Sequence, residues 1–224
     1  YHPMWSDDGD TVYFYHSDDG GPGGIYKTSK SSAMFERSLV LESQALIDEL
    51  HPGDIAAMRV IKGEETDYAL VDFISGEMRT VANRPGVHED LGNLSPDGRW
   101  VALTVDASGR YEVIVVPVSD GNSMVQVSLQ GGEEPRWAED MSALYWRYGT
   151  RLFRATVTTA GGELEFSVPE EVFEDPQWIN VGGYSYWPDR SKGGFVILRE
   201  NQATTTRALR VVEGWQNIQT GINQ

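Results

Sequence analysis

The sequence predicts an all-β protein, a β-propeller of about five four-stranded blades. Three observations lead to this fold: a motif recurs about every 44 residues, each unit contains four short strands, and the central strands are apolar at successive positions. Repeats of roughly 40 to 45 residues that each form a small antiparallel sheet are typical of propellers. The sequence leaves two ring sizes open: a five-bladed ring and an incomplete six-bladed ring.

The repeated motif is an apolar residue, a small polar turn and then alternating apolar residues. The turn begins at equivalent positions in five units: Ser6, His51, Ser95, Ala138 and Trp187. The spacings are 45, 44, 43 and 49 residues, which is too even for chance. We therefore expect one propeller domain over 1–224, with blades at about 1–43, 44–84, 85–130, 131–172 and 173–224.

The third unit shows the strands most clearly. A first strand ends at Leu94, and further strands are expected over 100–105, 111–118 and 124–128. The turn between the first two is Ser-Pro-Asp-Gly at 95–98, in which proline suits the second position of a type I turn and glycine the left-handed position after it. These four residues predict a hairpin corner of the blade and not a site.

The third strand of this unit contains an unbroken apolar run, VIVV at 113–116. A strand covered on both faces needs that pattern, as each blade of a propeller does. A β-sandwich is the second interpretation, since turns every 8 to 12 residues also suit it. The 44-residue period disfavours the sandwich. Later units depart from the motif: 139–141 lack the Pro-Asp-Gly turn, 190–193 are extra, and the fifth unit lacks an obvious fourth strand.

The charge and the cysteine count exclude several kinds of partner and chemistry. The chain has 18 Lys and Arg against 34 Asp and Glu, a net charge of −16, which repels nucleic acid and anionic lipid. No apolar run approaches the ~18 residues of a membrane span. We thus expect no nucleic-acid partner and no membrane insertion. Without cysteine there is no disulfide, thiolate metal site or cysteine nucleophile.

The repeats resemble those of the TolB-type (WD40-like) propeller family, whose motif reads approximately Pro-x-Trp-Ser-Pro-Asp-Gly. The stretch "GGEEPRWAEDMSALYWRYGTRLFRATV" from Gly131 resembles the penultimate repeat of propellers at the C-terminus of bacterial multidomain proteins, and "ALRVVEGW" from Ala208 resembles their ending. The resemblance implies an interaction or ligand-sensing platform, part of a larger bacterial protein in the periplasm or another extracytoplasmic place. The sequence leaves a cytoplasmic location open. Since the chain starts at Tyr1 and not at Met, we expect a processed or truncated chain, and the sequence leaves open whether an upstream domain or a signal peptide exists.

No strong catalytic motif accompanies the repeats, so we expect a non-enzymatic binding platform. The serine in "GYSYW" at 183–187 lacks the second glycine and the strand-to-helix setting of a nucleophile elbow. The alternative is a carbohydrate-active propeller enzyme, a metal-dependent lyase or a glycoside hydrolase, using His and carboxylates at the channel mouth. Trp5 and Trp137 occupy the same repeat position, which favours packing between blades over sugar stacking.

The candidate ligand-binding residues share one place in the repeat, at or before the first strand of a blade, which lines the central channel. They are His2, Glu49, His88, Glu89, Asp90, Glu134 and Asp175. Imidazole and carboxylate that converge on an axis could hold a divalent cation, Ca²⁺ or Mn²⁺, with Zn²⁺ also compatible, and His2, His88 and Asp90 are its candidate ligands. The alternative is that these carboxylates are simply solvated at the ends of loops and bind nothing. The expected partner is a protein or a small ligand or glycan.

Overall fold

Every regular element in the described part of the chain is a β-strand. The computed structural model describes residues 3–17, 23–32, 36–106, 109–119, 123–189 and 194–200. The all-β prediction is confirmed. Among these residues no helix is long and apolar enough to cross a membrane. His2, the extra residues 190–193 and the "ALRVVEGW" segment lie outside the described residues.

Three four-stranded antiparallel sheets follow one another along the first part of the chain, each a meander of consecutive strands. The first sheet contains β1 (Met4–Trp5), β2 (Thr11–His16), β3 (Gly24–Ser29) and β4 (Ser38–Leu41). The second contains β5 (Ala45–His51), β6 (Ile55–Lys62), β7 (Glu65–Asp72) and β8 (Met78–Ala82). The third contains β9 (His88–Leu94), β10 (Trp100–Asp106), β11 (Tyr111–Pro117) and β12 (Val125–Gln126).

The fourth and fifth sheets depart from the four-stranded plan. The fourth sheet contains β13 (Glu133–Trp137), β14 (Ala143–Tyr148), β15 (Arg151–Ala160), β16 (Glu163–Phe166) and β17 (Glu170–Glu174). The long strand β15 pairs with β17 along its first half and with β16 along its second half. The fifth sheet, as far as it is described, pairs β18 (Tyr186–Asp189) with β19 (Gly194–Ile197). In the described residues no strand pair joins the fifth sheet to the first.

Buried apolar residues form a separate cluster between each sheet and the next. Tyr13 and Ile25 of the first sheet pack with Met58 of the second, and Tyr68 of the second packs with Leu103 of the third. The remaining two clusters join the third sheet to the fourth and the fourth to the fifth. Along β11, alternate residues of the VIVV run face opposite neighbours, which explains why the whole run is apolar. Sheets stacked face to face in chain order are the arrangement of a propeller.

The predicted hairpin corner of the third sheet is present. The Ser95 hydroxyl donates to Asp97 (2.6 Å) and accepts from the backbone N–H of Trp100 (3.0 Å), while Gly98 adopts a φ of 71°. The corner of the first sheet repeats this arrangement with Ser6 in the place of Ser95. In the fourth sheet, whose turn lacks the glycine, Met141 takes the left-handed position with a φ of 60°. The motif therefore marks a blade corner.

Candidate functional site

A cavity of about 350 Å³ opens where the innermost strands of the five sheets meet. Each sheet or its leading segment contributes at least one lining residue: Met4, Trp5, Ile47, Asp48, Glu49, Leu50, Arg59, Leu91, Arg136, Gly183, Tyr184 and Trp187. First strands of different blades therefore converge on one space, as the propeller prediction requires. The volume lies at the lower end of the ~300 to 1,000 Å³ that small-molecule sites occupy. We define these residues as the channel-mouth pocket.

Two exposed indole rings belong to the rim of this pocket. Trp5 is 57% exposed and Trp187 is 45% exposed, although both line the cavity. Trp137, at the repeat position equivalent to Trp5, is only 6% exposed and packs between the third and fourth sheets. Packing between blades is thus confirmed for Trp137 and wrong for Trp5. Large exposed aromatic surface beside a cavity is characteristic of a binding site.

Arg136, on β13, lies in the pocket wall against the aromatic side. Its guanidinium carbon is 3.6 Å from the centre of the Tyr184 ring and 5.0 Å from that of Trp187. Such stacking over ring faces stabilises the cation and keeps the side chain extended. Its Nη1 lies 3.4 Å from the Glu49 carboxylate. Within the described structure the buried Arg136 Nε and the buried Tyr184 hydroxyl have no hydrogen-bond partner.

Arg59, in the middle of the apolar strand β6, joins the second and third sheets. Its Nε donates to Asp48 at 2.9 Å, and its Nη1 donates to Asp90 on β9. Burial raises the pKa of Asp48 to about 6, and the nearby Arg59 charge only partly opposes that effect. The Asp48 carboxylate also accepts from the Gly92 N–H at 3.3 Å. These contacts tie neighbouring blades together next to the pocket.

A second buried arginine holds Glu134. Arg147 Nε donates to Glu134 at 2.7 Å, and the side chains of Arg147 and Glu134 are 4% and 1% exposed. The same carboxylate accepts from the backbone N–H of Ser185 (2.6 Å) and from its hydroxyl (2.7 Å). Glu134 thus fastens the fourth sheet to the segment that leads into the fifth. Ser185, the serine of "GYSYW", is fully buried, which disfavours it as a nucleophile.

The arginine-bound carboxylates of Asp48 and Glu134 both occupy irregular positions in their strands. The register of β5 against β6 shifts between Ile47 and Glu49, so Asp48 is the extra residue. The register of β13 against β14 shifts between Glu133 and Arg136, and Glu134 there has a φ of 58°. A bulge places two residues opposite one and re-aims a side chain. In each case the re-aimed carboxylate meets an arginine of the adjacent strand.

One residue from each of three blades forms a further link across the channel. Glu49, Asn93 and Arg136 are separated by 44 and 43 residues and so share one repeat position. The Asn93 amide nitrogen donates to Glu49, and its oxygen accepts from the Trp137 N–H at 2.7 Å. The Glu49 carboxylate also lies 3.1 Å from His51 Nε2. Glu49 is therefore in contact with an amide and a guanidinium from two other blades and lies near an imidazole of its own.

The other predicted site residues do not converge on the pocket. His88 is exposed at the start of β9, and its neighbour Glu89 is buried and accepts from the Arg84 N–H and Nε, each at 3.2 Å. Burial raises the pKa of Glu89. Asp175, after β17, pairs with Arg199. Of the six predicted residues that the structure describes, Glu49 alone lines the pocket. Five of the predicted residues lie within first strands and not before them: Glu49, His88, Glu89, Asp90 and Glu134.

Of the three predicted cation ligands, the structure describes His88 and Asp90 but not His2. Among the described residues no group of three or more His, Asp or Glu side chains is placed to hold a metal ion. Asp90 is paired with Arg59, and His88 is exposed. Because His2 lies outside the described residues, a Ca²⁺ or Mn²⁺ site stays a prediction.

Several solved structures share this arrangement of sheets. A TolB protein from Agrobacterium tumefaciens matches with a TM-score of 0.56 and 17% identity, over 74% of this chain and 63% of the other. TolB from Acinetobacter baumannii matches with a TM-score of 0.52 and 21% identity, over 75% and 42%. The chain has the fold of the TolB-like propellers. It spans 42 to 63% of the length of these two proteins.

Propeller-containing peptidases share the fold as well. Prolyl oligopeptidase B from Galerina marginata, bound to a 35-residue substrate, matches with a TM-score of 0.52 and 9% identity, over 83% of this chain and 27% of the other. No family model and no curated protein matches the sequence. At these identities the likeness concerns the fold, since one fold serves many functions.

Sequence reasoning missed the residues that build the pocket wall. Arg59, Arg136 and Tyr184 were not among the candidates, although each lines the cavity. Two signals were present in the sequence. Arg59 interrupts an otherwise apolar strand, and a buried arginine requires a partner. Arg136 shares a repeat position with Glu49, so aligning the repeats would have brought the two together.

Proposed function

We propose that this protein is a non-enzymatic TolB-like propeller that acts as an interaction or ligand-sensing platform, with its binding site at the channel-mouth pocket. The partner is a protein or a small ligand or glycan. The proposal includes membership of a larger bacterial protein in the periplasm or another extracytoplasmic compartment, which rests on the resemblance of the repeats to TolB-type propellers. Fractionation of cells that make the full-length protein tests the location.

One observation carries the proposal: the pocket is open and aromatic, while the acids around it are engaged by arginines. Asp48 and Asp90 pair with Arg59, and Glu49 pairs with Arg136. A general acid or base needs a carboxyl group that can reach the substrate and change its protonation state. Carboxylates held as acceptors by neighbouring cations suit structure and recognition better than proton transfer.

A carbohydrate-active enzyme is the second candidate, and the exposed Trp5 and Trp187 favour it. Indole rings beside a cavity could hold a sugar next to paired carboxylates. Because those carboxylates are paired with arginines, they are poorly suited to act as the catalytic acid and base. The two candidates therefore differ in whether a bound ligand is chemically changed.

Fluorine NMR of protein labelled with 5-fluorotryptophan tests the platform. The chain has seven tryptophans, and Trp5→Phe and Trp187→Phe assign the two rim signals. A panel of neutral oligosaccharides and short peptides is added, and each mixture is then analysed by mass spectrometry. We expect at least one compound to shift both rim signals, to leave that of buried Trp146 in place, and to be recovered unchanged. Cleavage products, or no shift with any compound, would overturn the proposal.

A further inference from the structure

The channel-mouth pocket combines an aromatic rim with a charged floor, and this combination indicates the class of ligand. We infer that the pocket binds a neutral carbohydrate, the end of a short oligosaccharide, without cleaving it. The inference rests on the proposed function above and specifies the ligand of that same site.

The rim supplies flat apolar surfaces from opposite ends of the chain. Trp5 comes from the first sheet and Trp187 from the fifth, and each exposes about half of its surface. Burying such large apolar faces is favourable, at ~25 cal/mol per Å². The C–H groups on one face of a pyranose ring form an apolar patch of matching shape, while its hydroxyls stay directed to the side and to water. A sugar therefore covers the indole faces without losing its polar contacts.

The floor supplies charges that balance. Its charged lining residues are Asp48, Glu49, Arg59 and Arg136, two acids and two bases, so the sum is zero when all are ionised. A ligand with a net charge would face two opposite and two like charges at short range, and it would lose hydration on entry. A neutral ligand avoids that cost. The net charge of −16 on the whole chain further disfavours an acidic ligand.

The pocket wall also contains hydrogen-bonding groups that are unused in the described structure. Arg136 Nε and the Tyr184 hydroxyl are buried without a hydrogen-bond partner, and both residues line the cavity. Buried donors of this kind are rare because an unmade hydrogen bond costs ~1 to 3 kcal/mol. A ligand rich in hydroxyl oxygens, or the water that it retains, satisfies them with a small shift of either side chain. Hydroxyl groups both donate and accept, so they also suit Glu49.

The size of the cavity agrees with the end of an oligosaccharide and not with a large folded partner. A cavity of about 350 Å³ accommodates a small ligand, and a protein partner would need a total interface of ~1,200 Å² or more. A free peptide end of the same size would bring a charge to the balanced floor. For these reasons the observations favour a sugar over a peptide.

Isothermal titration calorimetry and the fluorine NMR assay test this inference with defined probes. Cellotriose, maltotriose and tri-N-acetylchitotriose are compared with trialanine. We expect at least one trisaccharide to bind and to shift the rim signals of Trp5 and Trp187, with no more than weak effects of the peptide. Trp5→Ala and Trp187→Ala should each weaken binding about tenfold or more, as is common for tryptophans central to a site.

Tyr148→Ala is the matched control, since Tyr148 is 40% exposed but does not line the pocket, and it should leave binding unchanged. Circular dichroism of each variant separates lost binding from lost folding, and Trp187→Phe should restore part of the affinity. If trialanine shifts the rim signals and no trisaccharide does, the carbohydrate inference is wrong while the platform stands. If none of the four probes shifts them, the carbohydrate inference is wrong, and the broader panel of the platform test decides the platform.

Discussion

Several of the buried charged residues of this propeller are arranged as arginine–carboxylate pairs between neighbouring strands. Arg59 and Arg147 each lie on the second strand of a sheet and meet a bulged carboxylate of the first strand. A buried ion pair contributes little net stability relative to apolar packing, but removal of one partner leaves an uncompensated charge. The pairs therefore fix which strands meet, and they are costly to break.

Truncation of Glu134 should be much more damaging than truncation of an exposed partner. In Glu134→Ala the Arg147 guanidinium, 4% exposed, loses its buried partner, so we expect a loss of about 3 to 5 kcal/mol in the free energy of unfolding. Glu170→Ala is the matched control, because Glu170 pairs with Arg154 at 56% exposure. Its expected cost is below about 1 kcal/mol. Urea denaturation measures both, and equal costs would contradict the account.

Asp48 should make stability decrease as the pH rises. Burial raises its pKa to about 6 in the folded protein, above the ordinary value of 3.8, so the folded state binds more protons than the unfolded state between those values. Its contribution is fully present below pH 3.8 and is lost as the pH rises through 6. Relative to the native protein, the free energy of unfolding of Asp48→Asn should rise by about 2 kcal/mol between pH 4 and pH 7, at ~1.4 kcal/mol per pKa unit.

Asp72→Asn is the control of opposite sign for this pH measurement. Hydrogen bonds from the backbone and side chain of Ser75 and from the backbone of Ile74 lower the pKa of Asp72. Its stabilisation is present above the unfolded pKa and is lost on acidification. The free energy of unfolding of Asp72→Asn relative to that of the native protein should therefore fall as the pH rises. Urea denaturation at pH 2, 3, 4, 5, 6 and 7 covers both pH ranges, since the Asp72 effect lies at and below pH 3.8. A pH-independent difference in the free energy of unfolding between Asp48→Asn and the native protein would refute the burial argument.

At the scale of residues, the sequence identified some of the charged positions but not their partners. Glu49 and Glu134 were found because they recur near first strands. The arginine partner of Glu49 was missed because that ion pair joins two blades across 87 positions of sequence. Arg147, the partner of Glu134, is only 13 positions away, but the two meet through a bulge that the alternation of a regular strand does not predict. Asn93 is the clearest case, since its role depends on Glu49 and Trp137 of two other blades.

At the scale of elements, the corner motif was the most predictable feature. Its residues satisfy one another locally, so the turn is encoded within a few positions. The expected strands of the third sheet lie close to the observed β9, β10 and β11, and only the fourth, β12, is shorter than expected. The bulges of the first strands were not predicted, because alternation along a strand assumes one partner for each residue.

Replacement of Gly98 tests the corner. Gly98 has a φ of 71° with open space around it, so Gly98→Ala creates strain without a clash. We expect a loss of about 1 to 2 kcal/mol in the free energy of unfolding, the cost of the left-handed conformation for an L-residue. Gly194→Ala is the control, since Gly194 in β19 also has open space but no positive φ. Thermal and urea unfolding should show it unchanged or slightly more stable, and similar losses in the two variants would contradict the corner geometry.

At the scale of the whole molecule, stability is distributed over the clusters between sheets and not held in one core. The second and third sheets are covered on both faces. The cluster between the fourth and fifth sheets contains three fully or nearly fully buried residues, Leu152, Trp178 and Tyr186. The sequence predicted this stacking from its period. It did not determine how the ring closes, because closure depends on contacts between the ends of the array and not on the repeat.

Hydrogen exchange should therefore follow the stacking order. Where each unit contacts only its neighbours, local opening is easiest at the unit with the smallest interface. We expect amides of β18 and β19 to exchange fastest among the paired strands, and those of β10 and β11 slowest. Trp178→Ala should accelerate exchange in β18 and β19 while leaving β10 and β11 protected, whereas Leu103→Ala should accelerate exchange in the second and third sheets. Uniform acceleration in both variants would show that the sheets open as one cooperative unit, which the separate clusters do not predict.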